Sequence, residues 1–434
     1  MTLIAFEGVA IGTAMPAIGV DLDGLALYAW GFNAFVVASL VGMVVAGTWC
    51  DRSGPRLSML IGMAIFAAGA VAAALAPTMP IFIAARGIQG LGSGAIIVAI
   101  YVLIARAFDE DLRPRAFSLL AASWVIPGLV GPLIAGWLTE STTWRTVFWL
   151  VPVVLLLPAI LLRGVLAEHN GGTGQREGPG RSLMAVAAAV GLTLVMAGLM
   201  RPPDEWLAIG VILGIGFAFL IPAAQRLLPA GSLRLRRGLP TTIVMRGILA
   251  AAFFSAEAFA PLALVEQRGL TVTVAGLLLS LAAIGWLTGS VIQSRIPGNL
   301  DRAPVVVAGS IVVAISLFAL PLCLVPSLPA LVAAPIFLVG SIGMGLCFPS
   351  IGVQMMRLSP VAQQGANSSA LQISDAVMSA LGLGVAGAVH AYAVVSGGAT
   401  TATYVTIWIG AGVLALGGAI VAGRMRQAAP VPAY

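Results

Sequence analysis

Long apolar runs separated by short polar turns dominate this sequence. A helix needs about 20 mostly apolar residues to cross a bilayer, and the chain contains fourteen runs near that length. They cover roughly residues 2–20, 28–49, 57–76, 80–105, 116–138, 144–163, 182–200, 205–224, 241–264, 272–294, 303–323, 329–355, 362–392 and 403–423. The sequence therefore predicts an all-α integral membrane protein with 14 transmembrane helices.

The composition agrees with that prediction and excludes a soluble protein. Hydrophobic residues make up 60% of the chain and charged residues 9%, whereas soluble domains carry roughly 25% charged residues. No basic segment precedes the first apolar run, so we expect residues 1–20 to form a spanning helix and not a cleaved signal. Because the chain enters this helix almost at once, a preceding cytoplasmic tail is expected to be missing.

The basic residues, all 22 of them arginine, are distributed unevenly between alternate loops. If the first helix starts in the cytoplasm, the cytoplasmic segments hold 17 arginines. The opposite loops hold only Arg145, Arg201 and Arg268, and two more arginines lie inside helices. Basic residues collect on the cytoplasmic side of membranes. We therefore expect a multi-pass protein of the bacterial plasma membrane with both termini cytoplasmic, and the net charge of +6 sets its orientation and does not indicate nucleic-acid binding.

Two linkers divide the chain. Residues 164–181 are rich in glycine, which predicts a flexible connection, and residues 225–240 carry four arginines expected to lie on the anionic membrane surface. A helical pair lies between the linkers, and prolines at 202 and 203 keep its two helices separate. The predicted units are residues 1–164 (six helices), 165–181 (linker), 182–225 (extra pair), 226–240 (basic linker), 241–426 (six helices) and 427–434 (tail).

The charged turn between the second and third runs contains a motif that is similar to one of a known family. It resembles the loop between helices 2 and 3 of the major facilitator superfamily, Gly-x-x-x-Asp-Arg-x-Gly followed by basic residues. The matching residues are Gly47, Asp51, Arg52, Gly54 and Arg56. Pro55 departs from the pattern, and the alternative is a loop that only obeys the positive-inside rule. The resemblance implies two six-helix halves related by a parallel repeat, and the central extra pair resembles the fourteen-helix branch of drug:proton antiporters.

The same resemblance implies a conformational latch at this loop. Gly47 would let helices pack closely and Gly54 would allow the chain to reverse. Asp51 would reach the positive N-terminal end of helix 13, with Arg106 at the end of helix 4 as a nearby partner. The latch would hold the two halves together in the outward-facing state.

Helix 1 contains an acid within an apolar run. Glu7, Ala14 and Pro16 match the antiporter pattern for this helix, whereas Val9 and Gly12 replace its polar residues. An ionised acid in a spanning helix costs about 2.5–3.5 kcal/mol or more, so it must face water, pair or bind a proton. We expect Glu7 to take part in proton coupling. The alternative is a side chain that reaches the cytoplasmic face.

Helix 4 carries Arg86 and Gln89 one turn apart on a single face, followed by Gly90 and Gly92. The run matches the antiporter pattern Arg-x-x-Gln-Gly-x-Gly. An arginine in the membrane needs an acceptor, and we expect Arg86 to act in proton coupling. The alternative is an arginine that extends to the outer interface.

Helix 5 contains a glycine- and proline-rich segment that resembles a motif associated with exporters. Its expected residues are Gly128, Gly131, Pro132 and Gly136, with Pro127 as a departure. Pro132 would kink the helix, and Gly131 and Gly136 would allow close packing against the opposite half. That contact would seal the inward-facing state. The alternative is general glycine packing.

The second half supplies two more acids, Glu257 in helix 9 and Asp375 in helix 13, which we expect to act in proton coupling. Arg246 of helix 9 could extend to the cytoplasm or pair. Acidic and aromatic groups suit lipophilic cations, although aromatics in spanning helices are more often lipid-facing or core. The expected substrate-binding residues are Trp30, Asn33, Gln89, Trp124, Phe254 and Gln372.

These features favour a proton-coupled exporter of lipophilic, cationic or neutral small molecules that works by alternating access. A lipid or endogenous-metabolite exporter is the alternative within transport, and an accessory or sensing membrane protein is the alternative outside it. We expect no enzyme, because no nucleophile–base pair or phosphate-binding loop is visible. We also expect no metal and no cofactor, with the proton gradient as the energy source, and a monomeric protein.

Overall fold

The computed structural model describes the chain except residues 109–111, 113–118, 121–122, 124, 163, 165–179, 202, 298–299, 361–362 and 427–434. The side chains of residues 51, 105, 106, 125, 181, 182, 203, 364 and 365 also lie outside the described part. The described residues form fourteen α-helices joined by turns and short 3-10 segments. They are α1 (Thr2–Asp21), α2 (Tyr28–Ser53), α3 (Pro55–Ala74), α4 (Met79–Ala107), α5 (Val125–Ser141), α6 (Arg145–Leu161), α7 (Gly180–Leu199), α8 (Trp206–Leu227), α9 (Leu239–Arg268), α10 (Val272–Ser294), α11 (Ala303–Ala319), α12 (Ala333–Leu358), α13 (Gln364–Val395) and α14 (Thr401–Ala422).

The fourteen predicted helices are therefore present. Within the described residues, eleven helical segments are long and apolar enough to cross a membrane. The other three helices are α5, α6 and α7; α6 and the Leu183–Leu199 part of α7 are shorter apolar segments, and α5 follows residues outside the described part. Helices α7 and α8 are separate, with an ion pair of 2.6 Å between Arg201 and Glu205 at their turn.

Spanning helices joined by short turns reverse direction, so the bundle has two ends. We call them the Tyr28 end, where α2 starts, and the Arg52 end, where α2 ends. At the Tyr28 end, Arg145 of α6 pairs with Asp21 of α1 at 2.6 Å and donates to the Ala76 carbonyl at 3.2 Å. At the Arg52 end, Arg426 pairs with Asp301 at 2.8 Å. The sequence predicts that the Tyr28 end is extracellular and the Arg52 end cytoplasmic.

Helices α1–α6, the N-terminal group, and α9–α14, the C-terminal group, each contain a tightly packed helix pair. In the N-terminal group α2 packs on α4, and a Cβ added at Gly94 would collide with the Ser39 carbonyl. In the C-terminal group α10 packs on α12, and a Cβ at Gly345 would collide with the Trp286 carbonyl. Small residues let membrane helices approach this closely. Each pair consists of the second and the fourth helix of its group.

Helices α7 and α8 form a hairpin that packs on both groups. Helix α7 contacts α2 of the N-terminal group and α13 of the C-terminal group, which also contact each other. An apolar core joins the four helices and includes Val37, Ala188, Leu220 and Val377. The hairpin therefore covers one of the two seams between the groups. Helices α5 and α10 pack together at the other seam.

The apolar cores of the two groups merge towards the Tyr28 end. The main core contains Ile18 and Phe82 of the N-terminal group together with Phe259 and Leu262 of α9. A second core near the Arg52 end, which includes Ile4, contains residues of the N-terminal group alone. Apolar burial therefore holds the groups together mainly at the Tyr28 end.

Candidate functional site

An ion pair lies inside the N-terminal group, between α1 and α4. Arg86 Nη1 donates to Glu7 Oε1 and also to Gln89 Oε1, the latter at 2.5 Å. Arg86 Nε donates to the Gly31 carbonyl of α2 at 3.1 Å, and the guanidinium lies 4.5 Å from the centre of the Phe35 ring. All three polar side chains are buried, with Arg86 and Glu7 no more than 2% exposed.

This placement brings together three residues that the sequence singled out separately. The one-turn spacing of Arg86 and Gln89 on α4 puts both on the face towards α1. Arg86 does not extend to the membrane interface, because its guanidinium has acceptors from α1, α2 and α4 inside the bundle. The second carboxylate oxygen of Glu7 and the amide nitrogen of Gln89 are buried without a hydrogen-bond partner within the described residues. The group therefore keeps free hydrogen-bonding capacity.

A second ion pair lies inside the C-terminal group, between α9 and α13. Arg246 Nε and Asp375 Oδ2 are 3.0 Å apart, and Ser379 Oγ lies 3.5 Å from the other oxygen of Asp375. The Arg246 guanidinium stacks 4.1 Å from the centre of the Phe348 ring. The two side chains are 19% and 20% exposed, so this pair is more accessible than the first. The sequence left open whether Arg246 extends to the cytoplasm or pairs, and in the structure it pairs with Asp375.

The third acid, Glu257, has no basic partner among the described residues. It is half-buried on α9 and forms no hydrogen bond or ion pair within the described part of the chain. Eleven residues separate it from Arg246 along α9, which is about three helical turns and about 16 Å. The two side chains therefore lie on the same face of the helix. Of the three acids expected to act in proton coupling, Glu7 and Asp375 each pair with an arginine, whereas Glu257 pairs with none among the described residues.

An aromatic cluster connects these positions in the C-terminal group. Phe254 of α9 stacks on Trp286 of α10 at 6.3 Å with an interplanar angle of 14°. Trp286 contacts Phe348 of α12 at 5.0 Å, and Phe348 in turn carries the Arg246 guanidinium. Phe253 contacts both Phe254 and Trp286. Phe254, a predicted substrate-binding residue, is part-exposed within this cluster.

The other predicted substrate-binding residues are more scattered. Trp30 is part-exposed near the start of α2. Asn33 is fully buried, and both polar atoms of its side chain have no hydrogen-bond partner among the described residues. Gln372 lies exposed on α13 and is not gathered with the aromatic cluster. Trp124 lies outside the described residues.

The predicted latch is described only in part. Gly54 ends α2 and precedes α3 with φ +81°, a conformation that favours glycine, and Pro55 starts α3. Arg52 and Arg56 are exposed. A Cβ at Gly47 would meet nothing within 4 Å, so this glycine is not at a close helix contact. The side chains of Asp51 and Arg106 lie outside the description.

The glycine–proline motif of α5 lies at the seam with α10. A Cβ at Gly136 would come within 2.6 Å of the Thr273 Cα, and one at Gly128 within 3.1 Å of the Ala283 Cβ. Gly131 does not face the other group, because it packs on Val9 of α1. Gly276 of α10 lets α5 approach from the other side of the seam, since a Cβ added there would lie 2.7 Å from the Pro132 carbonyl oxygen. Gly276 carried no sequence signal.

Polar contacts also join the groups at the Tyr28 end. Tyr28 OH of α2 donates to the Ala258 carbonyl of α9 at 3.0 Å. Glu140 of α5 accepts from the amide and the hydroxyl of Thr273 at 2.8 and 2.7 Å. Neither contact was predicted from the sequence, because each joins residues more than 100 positions apart. The tyrosine at the start of an apolar helix was the only available signal.

Comparisons with known proteins agree with the family resemblance that the motif residues carry. Residues 1–383 match the profile of the Major Facilitator Superfamily. The multidrug transporter protein MdtP of Bacillus subtilis is 25% identical over 397 residues, which cover 90% of this chain and 73% of that protein. The multidrug resistance protein Stp of Mycobacterium tuberculosis is 27% identical over 406 residues, covering 90% of this chain and 74% of its own.

Solved structures share the fold at low sequence identity. A crystal structure of the peptide transporter POT in complex with sulfate has a TM-score of 0.65 and 15% identity, covering 97% of this chain and 93% of that one. Tetrameric PepTSo2 has a TM-score of 0.67 and 17% identity, covering 97% and 95%. At this identity the likeness concerns the fold alone. From the profile match over most of its length, the chain belongs to the Major Facilitator Superfamily of membrane transporters.

Proposed function

We propose that this protein is a proton-coupled efflux transporter that exports lipophilic small molecules, cationic or neutral, by alternating access. The observation that carries the proposal is the buried contact of Arg86 with Glu7 and Gln89. Ionisable side chains inside a membrane bundle are costly and mark ion or substrate pathways. The relatives named for multidrug transport support the assignment to efflux.

In this proposal the N- and C-terminal groups are the two rocking halves and the α7–α8 hairpin is the extra pair. The close contacts of α5 with α10, and of Tyr28 with Ala258, support a conformation closed at the Tyr28 end. With both termini cytoplasmic, this is the inward-facing state. The outward-facing state requires these contacts to separate, and the latch predicted at Asp51 and Arg106 would then hold the Arg52 end. The protein is proposed to act as a monomer in the bacterial plasma membrane.

Proton coupling is assigned to the three membrane acids. Protonation of Glu7 removes the charge that neutralises Arg86, so Arg86 must then find another acceptor or its surroundings must rearrange. Asp375 has the same relation to Arg246. A ligand or proton shifts a conformational equilibrium only if it interacts differently with the two states. If the ion pair forms in one state and is broken in the other, a proton on the acid interacts differently with the two states and shifts the balance between them.

Recognition of the substrate is assigned to Glu257 and the aromatic cluster. An ionised carboxylate without a basic partner attracts a cation or a proton, and it can hold only one of them at a time. Phe254 lies three residues, about one helical turn, before Glu257 on α9, and Trp286 stacks on Phe254. The faces of these two rings add cation–π attraction and apolar area. A lipophilic cation combines the two requirements.

The test is transport by purified protein in liposomes with an imposed pH gradient and a fluorescent lipophilic cation. We expect cation movement driven by the proton gradient, and loss of that movement in Glu7→Gln and Arg86→Ala. A dipeptide serves as a second substrate, because the structural neighbours include peptide transporters. Proton exchange without movement of the cation would favour the lipid or metabolite alternative. Absence of both fluxes from folded protein would favour the accessory or sensing alternative.

A further inference from the structure

The segment between α8 and α9 forms an ordered basic turn at the Arg52 end. Ser232–Arg234 form a 3-10 turn, and the amides of Arg234 and Arg236 both donate to the Gly231 carbonyl at 3.1 Å. Gly231 has φ +92°, and a Cβ there would come within 2.5 Å of the Arg236 side chain. Thr241 Oγ1 ties the turn to α9 by donating to the Arg236 carbonyl at 2.6 Å. Hydrogen bonds therefore fix the backbone of this turn.

This turn and the end of α8 enclose a surface pocket of about 360 Å³. Arg234 and Arg236 both line it, and Gln225 and Ser232 contribute further polar groups. Arginine guanidinium groups are planar, paired donors of the kind that bind phosphate oxygens, and two of the residues that line this pocket are arginines. A pocket with this lining selects an anion that can accept several hydrogen bonds.

No acid among the described residues pairs with the arginines of the turn. Arg226, Arg234, Arg236 and Arg237 lie within twelve residues, and no acidic residue occurs between Glu205 and Glu257. None of the four forms an ion pair within the described residues. The Arg226 guanidinium donates to the Met184 sulfur at 3.9 Å. An uncompensated cluster of this size attracts anions within about a Debye length of the surface.

The position of the pocket favours an anion held at the membrane surface. The pocket begins where the apolar helix α8 ends, so it lies at the depth of lipid headgroups. Leu233 directly precedes Arg234 and is 52% exposed, which suits contact with acyl chains. We propose that this pocket binds the phosphate group of an anionic membrane lipid. Such a lipid would anchor the hairpin and the start of α9 to the bilayer, independently of what the protein transports.

The test is native mass spectrometry of the purified protein with phosphatidylglycerol or phosphatidylcholine added in detergent. We expect preferential retention of phosphatidylglycerol by the wild-type protein. In Arg234→Ala/Arg236→Ala its apparent affinity should fall roughly thirtyfold, on the basis of typical arginine contributions at anionic surfaces. Arg295→Ala is the matched control, because Arg295 is exposed at the same end of the bundle and distant in sequence. It should retain the lipid like the wild type.

Two results would overturn the proposal. Equal phosphatidylglycerol affinity in the double variant and in Arg295→Ala would show that these arginines do not hold the lipid. Displacement of the lipid by millimolar inorganic phosphate, with an equal thermal shift from phosphate alone, would assign the pocket to a soluble anion. If the double variant unfolds, Arg234→Gln, which keeps a polar donor in the pocket, replaces it and must still lower the affinity.

Discussion

Arg86 of α4 and Glu7 of α1 form an ion pair in which the side chains are 2% and 1% exposed. Both charges are withdrawn from water and from lipid headgroups, so each depends on the other for neutralisation. Arg86 also donates to the Gln89 side chain and the Gly31 carbonyl. Buried pairs of this kind add little net stability, but the loss of one partner leaves an uncompensated charge.

The first prediction concerns the stability of this pair. Arg86→Ala should lower the free energy of unfolding by about 3–5 kcal/mol, because it leaves the Glu7 carboxylate buried without a cation. Glu7→Gln/Arg86→Gln should recover much of that loss, since neither residue is then charged. Thermal unfolding in detergent measures both. Arg201→Ala is the control, because its pair with Glu205 is exposed and should contribute less than about 1 kcal/mol.

An equal loss of stability in Arg86→Ala and in the double variant would contradict this prediction. It would mean that the lost packing of the long side chain, and not its charge, accounts for the effect.

The second prediction concerns Glu257. Binding of a lipophilic cation to the wild-type protein should weaken as the pH falls, because a proton neutralises the carboxylate that attracts the cation. Glu257→Gln should bind the cation more weakly, by about tenfold, and with no dependence on pH over the same range. Fluorescence titration in detergent at several pH values measures this. Glu205→Gln is the control, as that acid is in a loop at the Tyr28 end and should leave the pH profile unchanged. An unaltered profile in Glu257→Gln would assign the competition to another acid.

The third prediction concerns the seam between α5 and α10. Gly136→Ala places a methyl group 2.6 Å from the Thr273 Cα, a backbone atom that can move only with its helix. We expect a loss of about 1–3 kcal/mol in stability, together with a weaker closure of the Tyr28 end. Gly47→Ala is the matched control, because a Cβ there meets nothing within 4 Å.

Thermal unfolding and the accessibility of a cysteine introduced near Thr273 test this prediction. If Gly136→Ala behaves like Gly47→Ala in both measurements, the close approach of α5 and α10 is not required.

The fourth prediction concerns movement at the other seam. A Cβ at Gly387 of α13 would collide with the Cβ of Ala29 of α2, so it would lie closer than the roughly 3.8 Å between the Cβ atoms of a disulfide. The two helices must therefore separate slightly to hold the pair, after which Ala29→Cys/Gly387→Cys should form a disulfide across the two groups. In a variant without Cys50, Cys323 and Cys347, oxidation should stop transport and reduction should restore it, because the Tyr28 end must open in each cycle.

The matched control joins α13 to the hairpin. A Cβ at Gly384 would lie 3.1 Å from the Met196 Cγ, so Gly384→Cys/Met196→Cys should also cross-link. We expect transport to continue if the hairpin moves with α13. Transport that survives the Ala29–Gly387 cross-link would show that this seam does not separate.

The sequence by itself determined the helices of this protein. Lipid offers no hydrogen bonds to the backbone, so apolar runs of sufficient length become helices almost independently of their neighbours. The fourteen predicted runs correspond to α1–α14, and the proline-containing turn between α7 and α8 is in its expected place. The motif residues also identified the family correctly, because a motif is a pattern of residue types at fixed spacing within one segment.

Only the tertiary structure decided which of the polar residues meet. Hydropathy assigns Glu7, Arg86, Arg246 and Asp375 to spanning helices but does not give the rotation of each helix about its axis. That rotation depends on glycine contacts between helices distant in sequence, such as Gly94 with Ser39 and Gly345 with Trp286. It pairs Arg86 with Glu7 and Arg246 with Asp375, and it leaves Glu257 without a basic partner among the described residues. Charge neutralisation inside a membrane bundle is a property of packing, which no single run of sequence contains.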